Sequence, residues 1–146
     1  MISALIRRAS SYDLDVIFRF ICELQNRDFD KTNLRSIYNY NLQNPDHIYL
    51  VAEHNQQVIG FISCHIQKLL HHGGAVAEIQ EMYVMVEYRS SGVGKELMET
   101  IKTKAKAKGA IQLEVTTRVI RKEAIKFYVR EEFEDTHKKL VHYFKK

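Results

Sequence analysis

The sequence predicts a single domain of the α/β class, a mixed β-sheet packed by helices. One observation is its length, because 146 residues suit one compact domain with its own hydrophobic core. Another is its composition of 45% hydrophobic and 27% charged residues, the balance of a globular chain and not of a disordered one. The third is the order of segments, β-α-α-β-β-β-α-β-α-β, in which helices and strands must cover one another's apolar faces.

The helices are predicted from apolar residues that recur every three or four positions. The first runs from Leu14 to about residue 26 behind a cap at Ser11 or Asp13, and the second covers residues 34–42. The third begins at a glycine-rich turn and ends before Gly109, and the fourth covers residues 122–129. The sequence therefore predicts four helices.

The strands are predicted from short apolar or alternating runs between polar turns. They are residues 2–8, 49–52, 58–66, 75–86 and 111–116, with closing strands around Phe133 and residues 141–144. All of these elements belong to one domain, residues 1–146, because no linker or repeat interrupts them.

Charge and composition exclude several classes of protein. The net charge of +4 suits an anionic partner, either a nucleotide cofactor, a phosphorylated substrate or nucleic acid. No nucleic-acid-binding motif is present, and no apolar run approaches the roughly 18 residues that span a bilayer. The two cysteines, Cys22 and Cys64, have no metal-binding spacing. We expect a cytoplasmic protein that binds neither nucleic acid nor membrane.

The most informative motif is the glycine turn, Arg89-Ser90-Ser91-Gly92-Val93-Gly94, which joins a strand to an amphipathic helix. Two glycines let backbone N–H groups approach an anion, and a helix start offers unpaired N–H groups and a positive dipole end. The spacing matches neither a P-loop nor a dinucleotide-binding fingerprint. Taken alone, the motif indicates either a phosphate site or an ordinary tight turn.

The surrounding residues give this turn a context. Residues 82–98 resemble motif A of the GNAT N-acetyltransferases, and residues 124–133 resemble their motif B. The order of elements is also that of the family, which implies a mostly antiparallel, twisted sheet flanked by about four helices. Three positions depart from the family pattern: Val86 for proline, Arg121 for asparagine and Glu132 for glycine.

A closer similarity is to the bacterial aminoalkylphosphonate N-acetyltransferases. It lies in residues 21–24, in residues 70–72 followed by residues 78–81, and in residues 127–131. The resemblance implies transfer of an acetyl group from acetyl-CoA to a small phosphonate-bearing amine by direct attack in a ternary complex. It also implies that a divalent metal supports the activity and, by analogy with the wider family, a homodimer.

The same resemblance assigns roles to individual residues. Tyr128 protonates the departing thiolate, and Glu78 takes the proton from the amine, directly or through water. A backbone N–H of the strand, with Val84 the best candidate, donates to the oxyanion. The cofactor-binding residues are Met82, Tyr83, Val84, Arg89, Ser90, Ser91, Gly92, Val93, Gly94 and Lys95.

Other carboxylates and histidines leave alternatives open. Strand alternation predicts Glu78 and Gln80 on one face and Glu81 on the other, unless a bulge intervenes. For a metal, the candidates are His71, His72 and Glu78, and His65 is a further candidate ligand. The histidine pair is equally consistent with a position in a solvent-facing loop. When protonated, one of these histidines could also pair with an anionic group of the substrate.

Two other functions fit the sequence. Acidic residues around the first helix, among them Asp28 and Asp30, could bind a cationic acceptor such as a protein amine, a polyamine or an aminoglycoside. Their helical spacing is also that of an ordinary solvent-exposed face. A non-catalytic acyl-CoA-binding module would keep the glycine turn and would not need Tyr128 or Glu78.

Overall fold

The computed structural model describes residues 1–145 and contains the mixed sheet that the sequence predicts. Five strands lie in the order β1-β2-β3-β4-β5, antiparallel from β1 to β4, with β5 parallel to β4. The strands are β1 (Leu5–Arg8), β2 (His47–His54), β3 (Gln57–Leu69), β4 (Gly74–Val84) and β5 (Ala110–Val115). The α-helices are α1 (Leu14–Gln25), α2 (Lys31–Gln43), α3 (Val93–Ala107) and α4 (Lys122–Arg130).

Polar caps fix the first two helices to the sheet. Ser10, not Ser11, caps the first turn, and it forms a capping box with Asp13. The buried Asp13 carboxylate also accepts a hydrogen bond from Arg7 of β1 at 2.9 Å. Asp30 caps α2 by accepting from the N–H of Thr32, so this helix starts earlier than its apolar periodicity predicts.

The helices cover both faces of the sheet, so the core consists of two clusters. One lies between the sheet and α3, with α4 at its border; its fully buried members include Leu50, Ile62, Cys64, Val93, Leu97, Met98 and Ile101. The other lies between the opposite face and the α1–α2 pair; its buried members include Ile17, Phe20, Tyr38, Tyr49, Val51, Phe61 and Tyr83. None of the helices within residues 1–145 is long and apolar enough to cross a membrane.

The prediction of closing strands is wrong for the described chain. Residues 131–145 form no strand, and β5 has no partner on its outer edge within residues 1–145. Phe133 packs its ring against Tyr128, with 5.6 Å between the ring centroids, and does not join the sheet. The alternating residues 140–144 have strand character, but alternation alone does not specify which edge a strand joins.

Candidate active site

The strands β4 and β5 separate part-way along their length. They pair from Ala75 with Ala110 to Ile79 with Val115, whereas β4 continues to Val84. Residues 80–84 therefore have β3 on one side and no strand on the other. We call this opening the β4–β5 gap. An open strand edge of this kind offers backbone donors and acceptors to an extended ligand.

The backbone N–H groups of Met82 and Val84 face the gap. Just past β4, the N–H of Met85 donates to the Ile59 carbonyl of β3 at 2.9 Å. Successive N–H groups of a strand point to opposite sides, so those of Val84 and Met82 point away from β3. Tyr83, between them, stacks on Phe20 of α1 at 4.7 Å between ring centroids. Its side chain therefore holds the strand while its neighbours offer donors.

The glycine turn presents a helix start with free N–H groups. Gly92 is the N-cap of α3, and its φ of 95° lies in the left-handed region, where a side chain is strained. The first helical hydrogen bond runs from the N–H of Glu96 to the Gly92 carbonyl. No side chain of residues 1–145 caps this end. The N–H groups of Val93, Gly94 and Lys95 can therefore bind an anion.

Both glycines also permit close packing. A side chain at Gly94 would meet Met82 at 3.3 Å and Phe127 at 3.4 Å, so glycine is what lets α3, β4 and α4 approach one another. A Cβ at Gly92 would lie 2.5 Å from the Met1 side chain, which rests on the turn. The helix start is consequently held against the strand that carries the gap.

The polar residues of the turn take different positions. Arg89 donates from Nε to the Val84 carbonyl at 2.7 Å, and its guanidinium lies 5.3 Å from the Tyr83 ring centroid. Its charge therefore lies at the end of β4. Ser90 has a φ of 62°, and the Ser91 hydroxyl donates to the Tyr88 carbonyl. Lys95 is exposed in the first turn of α3, where its ammonium can reach an anion bound at the helix start.

Tyr128 lies beside the gap. It belongs to α4, and its hydroxyl is 4.0 Å from the Met82 sulfur. Its ring packs edge-on against Phe127 and Phe133, with ring centroids 5.4 and 5.6 Å away. Burial raises the pKa of the Tyr128 phenol to about 12, so the hydroxyl stays protonated at neutral pH. Tyr128 is thus a fixed, protonated hydroxyl next to the strand.

A bulge in β4 changes which side chains share a face. In the β3–β4 register Ser63 faces Glu81 and Cys64 faces Ile79, so Gln80 is the extra residue. As a result Gln80 and Glu81 both line one cavity under α1 and α2. Regular alternation would place them on opposite faces, but the bulge that the prediction left open is present and shifts the alternation by one residue.

This cavity, which we call the acceptor cavity because its volume of about 480 Å³ can accept a small molecule, lies under α1 and α2. Its walls come from α1, α2, the connection between them and the sheet. The apolar lining includes Ile17, Ile21, Phe29, Leu34, Ile37 and Phe61. The polar lining includes Arg27, Asp28, Asp30, Asn33, Tyr38, Asn41, Tyr49, His65, Gln80 and Glu81.

Glu81 is the most enclosed carboxyl group of the cavity. The Ser63 hydroxyl donates to it, and its own backbone N–H donates to the Ser63 oxygen at 3.0 Å. Burial raises its pKa, although the bond from Ser63 opposes this shift. A carboxylate of raised basicity is suited to accept a proton or to hold an ammonium group.

Glu78 lies outside the cavity, on the stretch of β4 that still pairs with β5. It stands opposite Glu114 of β5 in the register, and its carboxylate accepts from the Thr116 hydroxyl at 3.2 Å. The Gln80 amide contacts the Glu78 carbonyl at 3.2 Å. Glu78 is therefore at the closed end of the gap, one residue from the bulge.

Comparison with known proteins assigns this architecture. A family model described as the acetyltransferase (GNAT) family matches residues 18–133, most of the chain. The chain belongs to this GNAT family. Its members are acyltransferases that use acetyl-CoA as co-substrate.

Individual relatives support the assignment. The chain is 34% identical over 132 residues to an aminoalkylphosphonate N-acetyltransferase of Salmonella typhimurium, covering 90% of this chain and 86% of that protein. Its fold is similar to a transcriptional regulator of Bacillus halodurans, with a TM-score of 0.89, 20% identity and coverage of 97% and 100%. It is also similar to glucosamine-6-phosphate N-acetyltransferase of Arabidopsis thaliana, with a TM-score of 0.83, 18% identity and coverage of 99% and 100%.

The histidines of the predicted metal site do not come together in this GNAT domain. His71 and His72 lie in a short 3-10 turn, not in an extended segment, with their ring centroids 4.3 Å apart. His72 approaches Glu114 at 3.9 Å, and Glu78 lies four residues into β4. Within residues 1–145, no group of three His, Cys, Asp or Glu side chains could hold a metal ion.

The sequence predictions did not bring His65, Arg27 and Glu81 together in one cavity, as the structure does. The ring of His65 borders the acceptor cavity and stacks on His47 of β2, with ring centroids 3.6 Å apart. Its Nε2 is buried and has no hydrogen-bond partner within residues 1–145. Alternation in β3 places His65 on the face of Phe61 and so could have identified it. No comparable sequence pattern predicts the bulge that places Glu81 in the cavity.

Arg121, which departs from the family pattern, has a structural contact. Its guanidinium donates to the Leu24 carbonyl of α1 at 2.7 Å, across 97 positions of sequence. This bond joins the start of α4 to the end of α1. The arginine therefore ties the Tyr128 helix to the helix that covers the acceptor cavity.

Proposed function

We propose that this protein transfers the acetyl group of acetyl-CoA to the primary amine of a small aminoalkylphosphonate-like molecule, by direct attack in a ternary complex. One observation carries the proposal: Gln80 and Glu81 line the acceptor cavity and are also the first residues of β4 beyond its last pair with β5. The gap and the cavity therefore meet at the bulge. An amine in the cavity can reach a thioester in the gap without either substrate leaving.

The donor side uses backbone groups for binding. The N–H groups of Val93, Gly94 and Lys95 receive the pyrophosphate, and the charge of Lys95 adds to their attraction. Arg89 holds the end of β4 through Val84 and contributes positive charge nearby. The N–H groups of Met82 and Val84 face the thioester carbonyl, and donors placed where negative charge develops supply much of such catalysis.

Tyr128 supplies the proton for the leaving thiolate. Its hydroxyl lies 4.0 Å from the Met82 side chain, on the side of β4 that borders the gap. Its raised pKa keeps the phenol protonated at neutral pH, and the same removal of water raises the basicity of a thiolate formed beside it, so the two groups stay comparable in basicity.

Glu81 takes the proton from the substrate ammonium. It lies inside the acceptor cavity, and burial raises the pKa of its carboxyl group and thus its basicity. The resemblance to the family assigns this role to Glu78 instead, which lies at the closed end of the gap beside Thr116. The matched variants Glu81→Gln and Glu78→Gln separate the two carboxylates.

Arg27 gives the cavity its preference for an anionic group. It is the only lysine or arginine among the residues that line the cavity, and its guanidinium lies 4.3 Å from the Phe29 ring centroid. A small molecule with an amine at Glu81 and a phosphonate at Arg27 would satisfy both charges. The relative from Salmonella carries the name of such a substrate class.

The test is a panel of amines with acetyl-CoA, in which released thiol is measured with and without a divalent metal ion. Aminoalkylphosphonates are compared with alkylamines of equal length that lack the phosphonate. We expect turnover with the phosphonates, and Arg27→Gln should raise their KM by about tenfold while sparing the plain amines. Equal turnover of both series would contradict the preference for phosphonates. No thiol release with any amine would contradict the acetyltransferase activity itself.

A cationic acceptor is the second candidate function, because Asp28 and Asp30 also line the cavity. These carboxylates would favour a polyamine or an aminoglycoside, and a protein amine is a further acceptor of the same kind. The panel therefore includes a diamine, an aminoglycoside and a lysine peptide. A preference for these that weakens in Asp28→Asn, and not in Arg27→Gln, would establish this alternative. A non-catalytic acyl-CoA-binding module would bind acetyl-CoA and turn over none of these amines.

A further inference from the structure

The acceptor cavity is larger than a short aminoalkylphosphonate. A two-carbon compound of this class has about seven non-hydrogen atoms and takes roughly 200 Å³, at about 30 Å³ for each atom, the share of one water molecule in the liquid. The cavity measures about 480 Å³. An acceptor made only of an amine, a short linker and a phosphonate therefore leaves more than half of this volume to another group.

The helices contribute apolar side chains to the cavity. Ile17 and Ile21 lie one turn apart on α1, and Leu34 and Ile37 lie about one turn apart on α2, so each pair shares one face of its helix. Phe61 of β3 also lines the cavity and packs in the same apolar cluster as Ile17. The cavity therefore has an apolar wall on each of the two helices.

Several polar side chains of the same lining are bonded within the protein. The Tyr38 hydroxyl donates to the Ser10 carbonyl at 2.6 Å, and the Asn41 amide donates to the Tyr49 hydroxyl at 2.7 Å. His65 contributes a neutral ring, because burial lowers its pKa to about 4. Among the described residues, the space between α1 and α2 therefore has few polar groups that are free to bind a ligand.

The charged groups that the proposed acceptor needs come from other elements. Glu81 belongs to β4, and Arg27 belongs to the connection between α1 and α2. An acceptor with its amine at Glu81 and its phosphonate at Arg27 is fixed at these two elements. The carbon atom between the two groups then carries whatever part of the molecule faces the helices.

The apolar wall is incompletely covered by the protein itself. Ile37 lines the cavity and is 53% exposed, and the side chains of Ile21 and Leu34 are partly exposed. A ligand that removes this surface from water gains affinity, by about fourfold for each methylene group that it buries. A polar ligand at the same place gains nothing from these side chains.

Building on the acetyltransferase function proposed above, we propose that the acceptor carries an apolar substituent of about three to six carbon atoms on the carbon that bears the amine. The apolar faces of α1 and α2 bind this substituent. The acceptor class is thus a 1-aminoalkylphosphonate with an alkyl side chain, held by its amine at Glu81, its phosphonate at Arg27 and its side chain between the two helices.

The first experiment measures kcat/KM by thiol release for 1-aminoalkylphosphonates whose side chain grows from methyl through ethyl and propyl to butyl. We expect kcat/KM to rise by about two- to fourfold for each added methylene group, and by about tenfold or more from methyl to butyl. A value that stays constant or falls from methyl to butyl would overturn the proposal.

Variants of the helix walls test where the side chain binds. Ile37→Ser places a hydroxyl in the apolar wall, and we expect the gain from methyl to butyl to fall to about threefold or less. The matched control is Tyr40→Ser, on the same helix, 71% exposed and outside the cavity lining, which should keep the full gain.

A second variant reduces the space for the side chain. In Ile21→Phe the larger ring fills part of the cavity, so the butyl compound should lose at least about tenfold more in kcat/KM than the methyl compound. Equal changes for the two compounds in both Ile37→Ser and Ile21→Phe would overturn the proposal.

A parallel series of 2-aminoalkanes separates the apolar site from the phosphonate acceptor. These amines carry the same side chains and have a methyl group in place of the phosphonate. A gain with chain length in both series, without a preference for phosphonates, would contradict the phosphonate acceptor and support the apolar site. Turnover of phosphonates without such a gain would do the reverse.

If no compound releases thiol, calorimetric titration of the same compounds in the presence of CoA measures their affinities. A rise in affinity from methyl to butyl would support the apolar site even without the acetyltransferase reaction. Equal affinities would overturn it.

Discussion

The donor side and the acceptor side of this site are built from different parts of the chain. On the donor side, the binding surface that we propose consists of the backbone N–H groups of Val93, Gly94 and Lys95 at a helix start and of Met82 and Val84 on a free strand edge. On the acceptor side, side chains of Arg27, His65 and Glu81 converge from three elements on one cavity. The difference teaches that a backbone site constrains local sequence, whereas a side-chain site depends on register and packing.

The largest effect is expected from the acceptor side, at Glu81. Glu81→Gln keeps the shape and the contact with Ser63 but cannot take a proton. We expect kcat/KM for the amine to fall by about 10²–10⁴, the usual contribution of a general base, with acetyl-CoA affinity unchanged. The measurement is steady-state thiol release, with calorimetric titration of acetyl-CoA.

Glu78→Gln is the matched control for Glu81. It removes a carboxylate two residues before Gln80 and outside the cavity, so we expect a loss below about fivefold if its role is only the bond to Thr116. A larger loss at Glu78 than at Glu81 would return the role of base to Glu78.

The next effect is expected on the donor side, at Tyr128. Tyr128→Phe removes one hydroxyl and leaves the ring packed between Phe127 and Phe133. We expect kcat to fall by about 10²-fold while acetyl-CoA still binds, because protonation of the leaving group contributes on this scale. Phe127→Leu is the control for packing alone. Unchanged turnover in Tyr128→Phe would exclude the residue from proton transfer.

A smaller effect is expected at the glycine turn. Gly92→Val places a branched side chain at a φ of 95°, where such a side chain is strained, so the backbone of the turn must change, whereas the end of the Met1 side chain, 2.5 Å away, can move aside. We expect acetyl-CoA binding to weaken at least tenfold, about 1.4 kcal/mol. Gly73→Val is the matched control, since Gly73 also has positive φ, 61°, but nothing within 4 Å. Equal affinities in the two variants would show that the turn does not hold the cofactor.

The contrast between a donor side built from backbone groups and an acceptor side built from side chains also explains what the sequence could predict. Helix periodicity, the glycine turn and the motif B tyrosine are local patterns, and the four helices, the mixed sheet and the family were predicted from them. Glu81 could not be placed, because a one-residue bulge at Gln80 reverses the face of everything beyond it. The closing strands predicted around Phe133 and residues 141–144 do not form, because an alternating pattern does not specify a partner edge. His71 and His72 were given as alternatives between a metal site and a solvent-facing loop, and only the structure shows that they lie in a 3-10 turn, with His72 beside Glu114.

The smallest effect is a pH dependence of stability that originates at the acceptor cavity. Burial, together with the charge of His47, lowers the pKa of His65 from 6.5 to about 4. Between these values the unfolded chain binds a proton at this position and the folded chain does not. The free energy of unfolding should therefore rise as pH increases from about 4 to 6.5, by roughly 1–3 kcal/mol, and be constant from this source above that range.

Urea unfolding at several pH values measures the slope of the free energy of unfolding against pH. The variant His65→Gln should have a flatter slope between about pH 4 and 6.5. His71→Gln, a change in the exposed 3-10 turn, should leave it unchanged. The comparison also tests the cavity as a site: an anionic acceptor that occupies it should stabilise the folded chain by mass action and leave the slope in place. If the slope persists in His65→Gln, another group is responsible, and the stacked histidines then contribute shape to the acceptor cavity and no proton linkage.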